Sequence, residues 1–399
     1  MKANLTIHPR LRLNFSPLVW VLLACMALAG LLALYRYAFG VGAISNLSNS
    51  YPWGFWVSFD LFTGIAISSG AFIIAAIIYI FELKEFKPML RAVLLTALLG
   101  YMMEAMALMV ELGHPERIWY FFIYQNWTSF LLFIGLYVMI YIAIMAAEFS
   151  PAVFERLGWK KPRDFFNRAM KPLVIVGVVI SILHQGSLGA LLLIQPTKLF
   201  PLWWTPFLPV LFFVSAIAIG LAMTIFESSL SSRYFKRGLE IPLLEKLAAI
   251  IPWLLGLYLV LKFGELFFSG DVQYLFNSGT MSVLFWSEIL VGVLFPMIWF
   301  AFKRNRKSAG GLFIGAVALL LGMILNRFAV SWFAVKHADS ITYMPTFMGP
   351  ATYYPSWTEI AVSIGIFSFG ILAFGLAVTY LPVFEPEEHG HSPAPETGN

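Results

Sequence analysis

Six histidines are spread over the 399-residue chain, and His184 is the one that lies inside a long hydrophobic stretch. Carboxylates sit in such stretches too, at Asp60, Glu104, Glu227 and Glu288, together with Arg327 and the neighbours Lys262 and Glu265. A charge near the middle of a bilayer costs about 3 kcal/mol or more, so each of these groups is a functional candidate by default. An imidazole opposite buried carboxylates fits one chemistry well. Reducing a quinone needs a donor at each carbonyl oxygen and a route for two protons, and these residue types supply both. The same inventory excludes other chemistry. A haem held between helices normally takes two axial side chains. With one intramembrane histidine and a single cysteine, Cys25, the apolar segments offer neither a bis-histidine haem nor a four-cysteine cluster.

The elements that position these groups follow from composition. Hydrophobic residues make up 60% of the chain and charged residues 12%, and the mean hydropathy is +0.81; this is the membrane class. Apolar runs of spanning length occur at 17–39, 53–81, 89–111, 128–147, 170–194, 207–230, 247–268, 280–302, 310–335 and 357–381. They are long and continuously apolar, without the alternation of a membrane β-barrel, and helices are the other way to satisfy a backbone in lipid. The first run is too long for the core of a secretory signal and lacks a small-x-small cleavage site, so it reads as a retained helix. One cysteine also excludes a disulfide framework and a zinc motif. The pI near 9.1 does not imply nucleic acid, because the basic residues lie in the connections, where they set topology.

Those basic residues fall on one side: Lys2, Arg10 and Arg12 before the first run, then connections around 84–91, 156–171, 233–246 and 303–307. The alternate connections carry only Arg117, Lys198 and Lys336. The positive-inside rule then places both termini in the cytoplasm, which agrees with an even number of spans. The expected organisation is a cytoplasmic segment 1–16, a ten-helix membrane domain 17–382 and an acidic, disordered cytoplasmic tail 383–399. In this frame Asp60 is seven residues from Trp53 and so roughly 10 Å deep from the outer surface. Asp60, Glu104, His184, Glu288 and Arg327 all occupy outer halves of their helices and are expected to converge on one outer-leaflet pocket. Glu227 lies instead near the cytoplasmic end of helix six, with Thr224, Ser228 and Ser231 on its face, a stripe suited to proton entry.

Structural roles compete for some of these residues. Lys262 and Glu265, at i and i+3, are expected to pair, and Arg327 is expected to pair with Glu288. Glu111, Glu148 and Glu359 lie close enough to span ends to be solvated. The outer connections are rich in Trp, Tyr, Phe, Pro and Gly, as in the Trp203–Trp204 loop, which in part is an interfacial belt. The final one, 336–356, with Tyr343, Tyr353 and Tyr354, is more than a belt requires and suits docking of a water-soluble partner.

Four motifs in order resemble a known family. They are YPWGFWVSFD at 51–60, ELGHPERIW at 111–119, HQGSLGAL at 184–191 and PSWTE at 355–359. Together they resemble the NrfD/PsrC-type quinone-interacting membrane subunits, over roughly 17–382, and look most like the HybB-type membrane subunits of periplasm-facing Ni/Fe-hydrogenases. The resemblance implies an all-α integral membrane protein of about ten helices, two four-helix bundles plus flanking helices, in a bacterial inner membrane with a periplasmic docking face. It implies menaquinone or ubiquinone near that face, bound through Asp60, His184, Glu104 and Trp53, and no haem. Glu227 would match a proton-transfer carboxylate, with Thr224 and Ser228 beside it. A periplasmic ferredoxin-like iron–sulfur subunit and the hydrogenase small and large subunits would carry the iron–sulfur clusters and the Ni–Fe centre, making a hydrogen:quinone oxidoreductase with proton translocation and no activity from this chain alone. The same family anchors molybdopterin reductases of the polysulfide and tetrathionate type. Two other classes compete. A secondary transporter predicts inverted halves with broken helices, yet the halves show no internal repeat. A plain assembly anchor leaves the buried carboxylates without purpose.

Overall fold

The protein is described as a computed structural model, covering residues 16–48, 51, 53–194, 199–235, 238–335 and 353–384. Most of the segments expected before Pro17 and after Pro382, and the body of the 336–356 connection, lie outside the described residues. Among the described residues there is no strand, and ten helices are long and apolar enough to cross a membrane. They are α1 Pro17–Phe39, α2 Val57–Tyr79, α3 Lys84–Glu111, α4 Phe130–Leu157, α5 Lys160–Leu193, α6 Leu208–Phe235, α7 Ile241–Ser269, α8 Thr280–Ala301, α9 Ala309–Phe333 and α10 Trp357–Tyr380.

Two four-helix bundles emerge from the packing. In the first, α2, α3, α4 and α5 close a ring; in the second, α6, α7, α8 and α9 do the same. α6 also packs on α5 and α2, which joins the bundles, while α1 and α10 pair with each other and lean on α3. At the joint two glycines permit contact of backbones: a Cβ added to Gly220 would stand 2.7 Å from the Gly70 nitrogen. Small residues are the usual means of such close approach in a bilayer, where lipid offers no hydrophobic drive for association.

The helices run past the lipid-crossing stretches read from hydropathy. α4 continues to Leu157 and α5 begins at Lys160, so their connection is a tight turn in which Gly158 adopts φ +73°, a left-handed conformation natural to glycine. Hydropathy reports where a helix meets lipid, whereas these helix ends carry Arg156, Lys160 and Lys161 into water. Ion pairs tie the connections together at this basic end: Lys246 with Glu85 at 2.5 Å, Arg91 with Glu155 at 2.8 Å and Lys171 with Glu82 at 3.3 Å. The opposite, aromatic end holds the connections after α1, α3, α5, α7 and α9.

Three spans contain a π-helical turn, at Val57–Thr63, Glu288–Leu294 and Ala329–Phe333. Such turns widen the helix locally and recur at functional sites. Asp60 and Glu288 sit inside two of them, and Arg327 precedes the third.

Candidate functional site

α3, α4 and α5 bring a set of polar side chains into one buried layer. Tyr101 and Glu104 share a face of α3; Gly177, Ser181 and His184 share a face of α5. Glu104 is 1% exposed and His184 fully buried, and His184 Nε2 stands 4.0 Å from Glu104 Oε1, too far for a hydrogen bond. Neither carboxylate oxygen of Glu104 and neither ring nitrogen of His184 has a hydrogen-bond partner. The rings of Tyr101 and Tyr137 flank the imidazole at 5.7 and 6.2 Å. Toward the basic end, Tyr101 and Tyr141 pack edge to face at 4.6 Å, and their hydroxyls both turn to Ser181. Gln185 Nε2 donates to the Ile65 carbonyl at 3.2 Å, which fixes α5 against α2. Buried polar groups are nearly always hydrogen-bonded, so this cluster is set up to bind something polar or to exchange protons.

Asp60 stands apart from that pair. It is buried, its Oδ2 accepts from Ser363 Oγ of α10 at 2.6 Å, and its Oδ1 has no partner; no hydrogen bond or ion pair links it to Glu104 or His184. Trp53 is half-buried at the aromatic end and packs against the main core. On the far side of Ser363, Val362, Gly365 and Ile366 line an apolar groove of about 500 Å³ between α1, α3 and α10. Glu227 lies at the basic end. It is 8% exposed, its carboxylate faces the Thr96 hydroxyl of α3, and with Ser228 and Ser231 it lines a cavity of about 50 Å³. Thr224 is one turn deeper, buried, donating to the Gly220 carbonyl at 2.9 Å.

The expected single pocket does not form: Asp60 turns to Ser363 of α10, and Glu288 and Arg327 face the interior of the second bundle. Their expected ion pair is replaced by a bridge: Asn326 Nδ2 donates to Glu288 Oε1 at 2.7 Å, and Arg327 Nη1 donates to Asn326 Oδ1 at 3.0 Å. Trp203 Nε1 donates to Glu288 Oε2 at 2.8 Å. Arg327 Nη2 donates to Ser215 Oγ at 2.8 Å, and the guanidinium lies 3.8 Å over the Phe212 ring. Lys262 does not pair with Glu265 either; its Nζ donates to the Leu202 carbonyl at 2.7 Å, pinning the 199–207 connection onto the bundle. Trp203 is therefore a buried staple and no part of an interfacial belt.

None of the three carboxylates expected to be solvated stands free in water: Glu148 and Glu359 are buried, and Glu111 is half-buried within electrostatic range of Asp60 and Glu359. Glu359 accepts from Asn46 N at 2.8 Å and Ser356 N at 3.1 Å as part of a capping box, and also from the Tyr353 hydroxyl. Tyr353 stacks on Tyr51 at 4.9 Å, so this portion of the final outer connection is self-packed. Glu148 is 3% exposed, with Oε2 unpartnered. Its burial follows from the length of α5, which continues beside α4 well beyond the apolar stretch. The spacing Tyr137, Tyr141, Glu148 already marks one polar face on α4 and was the signal available for it. Ser363 carried no such signal, being 303 residues from Asp60.

Comparison with known proteins shows the family of the chain. The sequence profile of the family described as polysulphide reductase, NrfD, matches residues 43–334. A probable Ni/Fe-hydrogenase 2 b-type cytochrome subunit of Escherichia coli is 32% identical over 93% of this chain and 92% of its own. The menaquinone reductase integral membrane subunit of Nitratidesulfovibrio vulgaris is 27% identical over 90% and 89%, and the C subunit of polysulfide reductase from Wolinella succinogenes is 25% identical over 71% and 94%. The cytochrome in the first of these names makes haem a question for this chain. The described residues offer no pair of axial histidines: besides His184, the histidine among them is His114, exposed and bonded to Glu116 at 2.9 Å. Coverage and identity of this order leave no doubt about kinship, and the chain belongs to the NrfD family of multi-pass membrane subunits.

Proposed function

We propose that this chain is the quinone-reactive, haem-free membrane subunit of an oxidoreductase complex. Electrons arrive at the aromatic end from a ferredoxin-like iron–sulfur subunit and reduce menaquinone or ubiquinone; the hydrogenase small and large subunits complete the complex and hold the Ni–Fe centre. The aromatic end faces the periplasm and the basic end and both termini face the cytoplasm of a bacterial inner membrane, in keeping with the charge asymmetry of the connections. The observation that carries this reading is the buried His184–Glu104 pair, four heteroatoms without a partner. His184 and Asp60 hydrogen-bond the quinone head group, with Trp53 at the mouth of the site. Glu104 hands a proton to a carbonyl oxygen as charge develops there, work worth roughly 10²–10⁴ in rate for a positioned acid. The groove behind Ser363 suits the prenyl tail. Glu227, with Thr224 and Ser228, feeds protons from the basic end, which makes the reaction electrogenic.

Asp60→Asn and His184→Ala should slow hydrogen-dependent quinone reduction about a hundredfold while the complex still assembles. Normal turnover in both variants would remove the proposed site. The relative that serves as the C subunit of polysulfide reductase supports a second reading, a molybdopterin reductase in which quinol gives electrons outward through the same residues. Purification with its native partners separates the two.

A further inference from the structure

Glu148 has no part in the reading above, yet it is buried in the first bundle toward the basic end. Its Oε2 has no hydrogen-bond partner, and it makes no ion pair among the described residues. A structural carboxylate at such depth would be expected to hold a cation or accept hydrogen bonds.

Its neighbours form a column. Tyr137, Tyr141 and Glu148 share one face of α4, opposite the Gly177, Ser181 and His184 face of α5. A Cβ added to Gly177 would stand 3.1 Å from Glu148 Oε1 and 3.7 Å from Tyr141 Cε2, so both side chains converge on the space this glycine leaves. Above it stand Tyr141, Ser181 and Tyr101, the two phenol hydroxyls meeting at Ser181, and then the Glu104–His184 pair. Below it, Glu148 is within electrostatic range of Tyr79, which also senses Arg91; Arg91 is 32% exposed at the basic end. Every group between Glu148 and Glu104 can both accept and give a proton.

We infer that Glu148 is the entrance of a second proton path, which runs from the basic end through Tyr141, Ser181 and Tyr101 to Glu104. This rests on the quinone reading. Reduction consumes two electrons from the iron–sulfur partner and two protons, and both carbonyl oxygens become hydroxyls. Each proton given up at Glu104 is replaced along the column, and Glu148 takes its replacement from water at the basic end.

The test uses the complete complex in liposomes, with a membrane-impermeant reduced viologen outside as donor, a dimethylnaphthoquinone as acceptor and a pH dye inside. Glu148→Gln should slow turnover about tenfold and diminish internal alkalinisation per quinol, with quinone KM unchanged; Glu148→Asp should restore most of both. Wild-type turnover and alkalinisation in Glu148→Gln would overturn the path. So would equal losses in both variants accompanied by a lower thermal midpoint, the mark of a structural role. Absence of quinone reduction by the wild-type complex would instead overturn the quinone reading, and the path with it.

Discussion

The Glu104–His184 cluster of the first bundle and the Glu288–Arg327 cluster of the second contain the same kinds of polar residue and treat them in opposite ways. In the second, both Glu288 oxygens accept hydrogen bonds, Lys262 donates to a backbone carbonyl, and of the Arg327 donors only Nε lacks a partner. In the first, Glu104 and His184 lie buried with every side-chain polar atom unpartnered, and Asp60 and Glu148 each keep one free oxygen. A satisfied network rigidifies a fold, and an unsatisfied one is expensive unless it serves a ligand or a proton. Burial of a charge in a span therefore does not by itself identify a working site; the bonding around it does.

That contrast can be broken by exchanging the effects of mutation. The largest expected effect is on turnover: Glu104→Gln or His184→Phe should slow quinone reduction about a hundredfold, with the thermal midpoint of the complex unchanged. The second bundle should respond the other way. Glu288→Ala strands Asn326 and Trp203 beside Arg327 and should cost about 3 kcal/mol of stability, read as a lower thermal midpoint and yield, while the protein that survives turns over normally. Trp203→Phe removes one bond from Glu288 and should cost about 1–2 kcal/mol, again without a kinetic phenotype. Ser363→Ala sharpens the comparison most finely. It frees the second Asp60 oxygen and should move the quinone KM about fivefold, with no loss of stability. A stability defect from Glu104 or His184, or a kinetic one from Glu288 or Trp203, would erase the distinction.

Much of this was legible in the residues. Spanning length, the asymmetry of basic residues and the rarity of ionisable groups in apolar runs marked ten helices and singled out Asp60, Glu104 and His184. The structure adds what a linear chain does not carry. Lys262 and Glu265 have the spacing of a helix pair, but a loop carbonyl 60 residues away takes the ammonium. Arg327 reaches Glu288 only through Asn326, because a helix face says nothing about which rotamer a neighbouring bundle permits. Glu148 looked solvated, since hydropathy marks the end of lipid contact and not the end of the helix beside it.

Equilibrium binding of a quinone-site inhibitor such as a hydroxyquinoline N-oxide to the purified complex, followed by quenching of its fluorescence, tests the central claim most directly. His184→Phe should weaken binding about tenfold, a loss of roughly 1.4 kcal/mol, while Glu288→Gln should leave it as in the wild type. Undiminished binding in His184→Phe, or a loss confined to Glu288→Gln, would place the site in the wrong bundle and contradict the account.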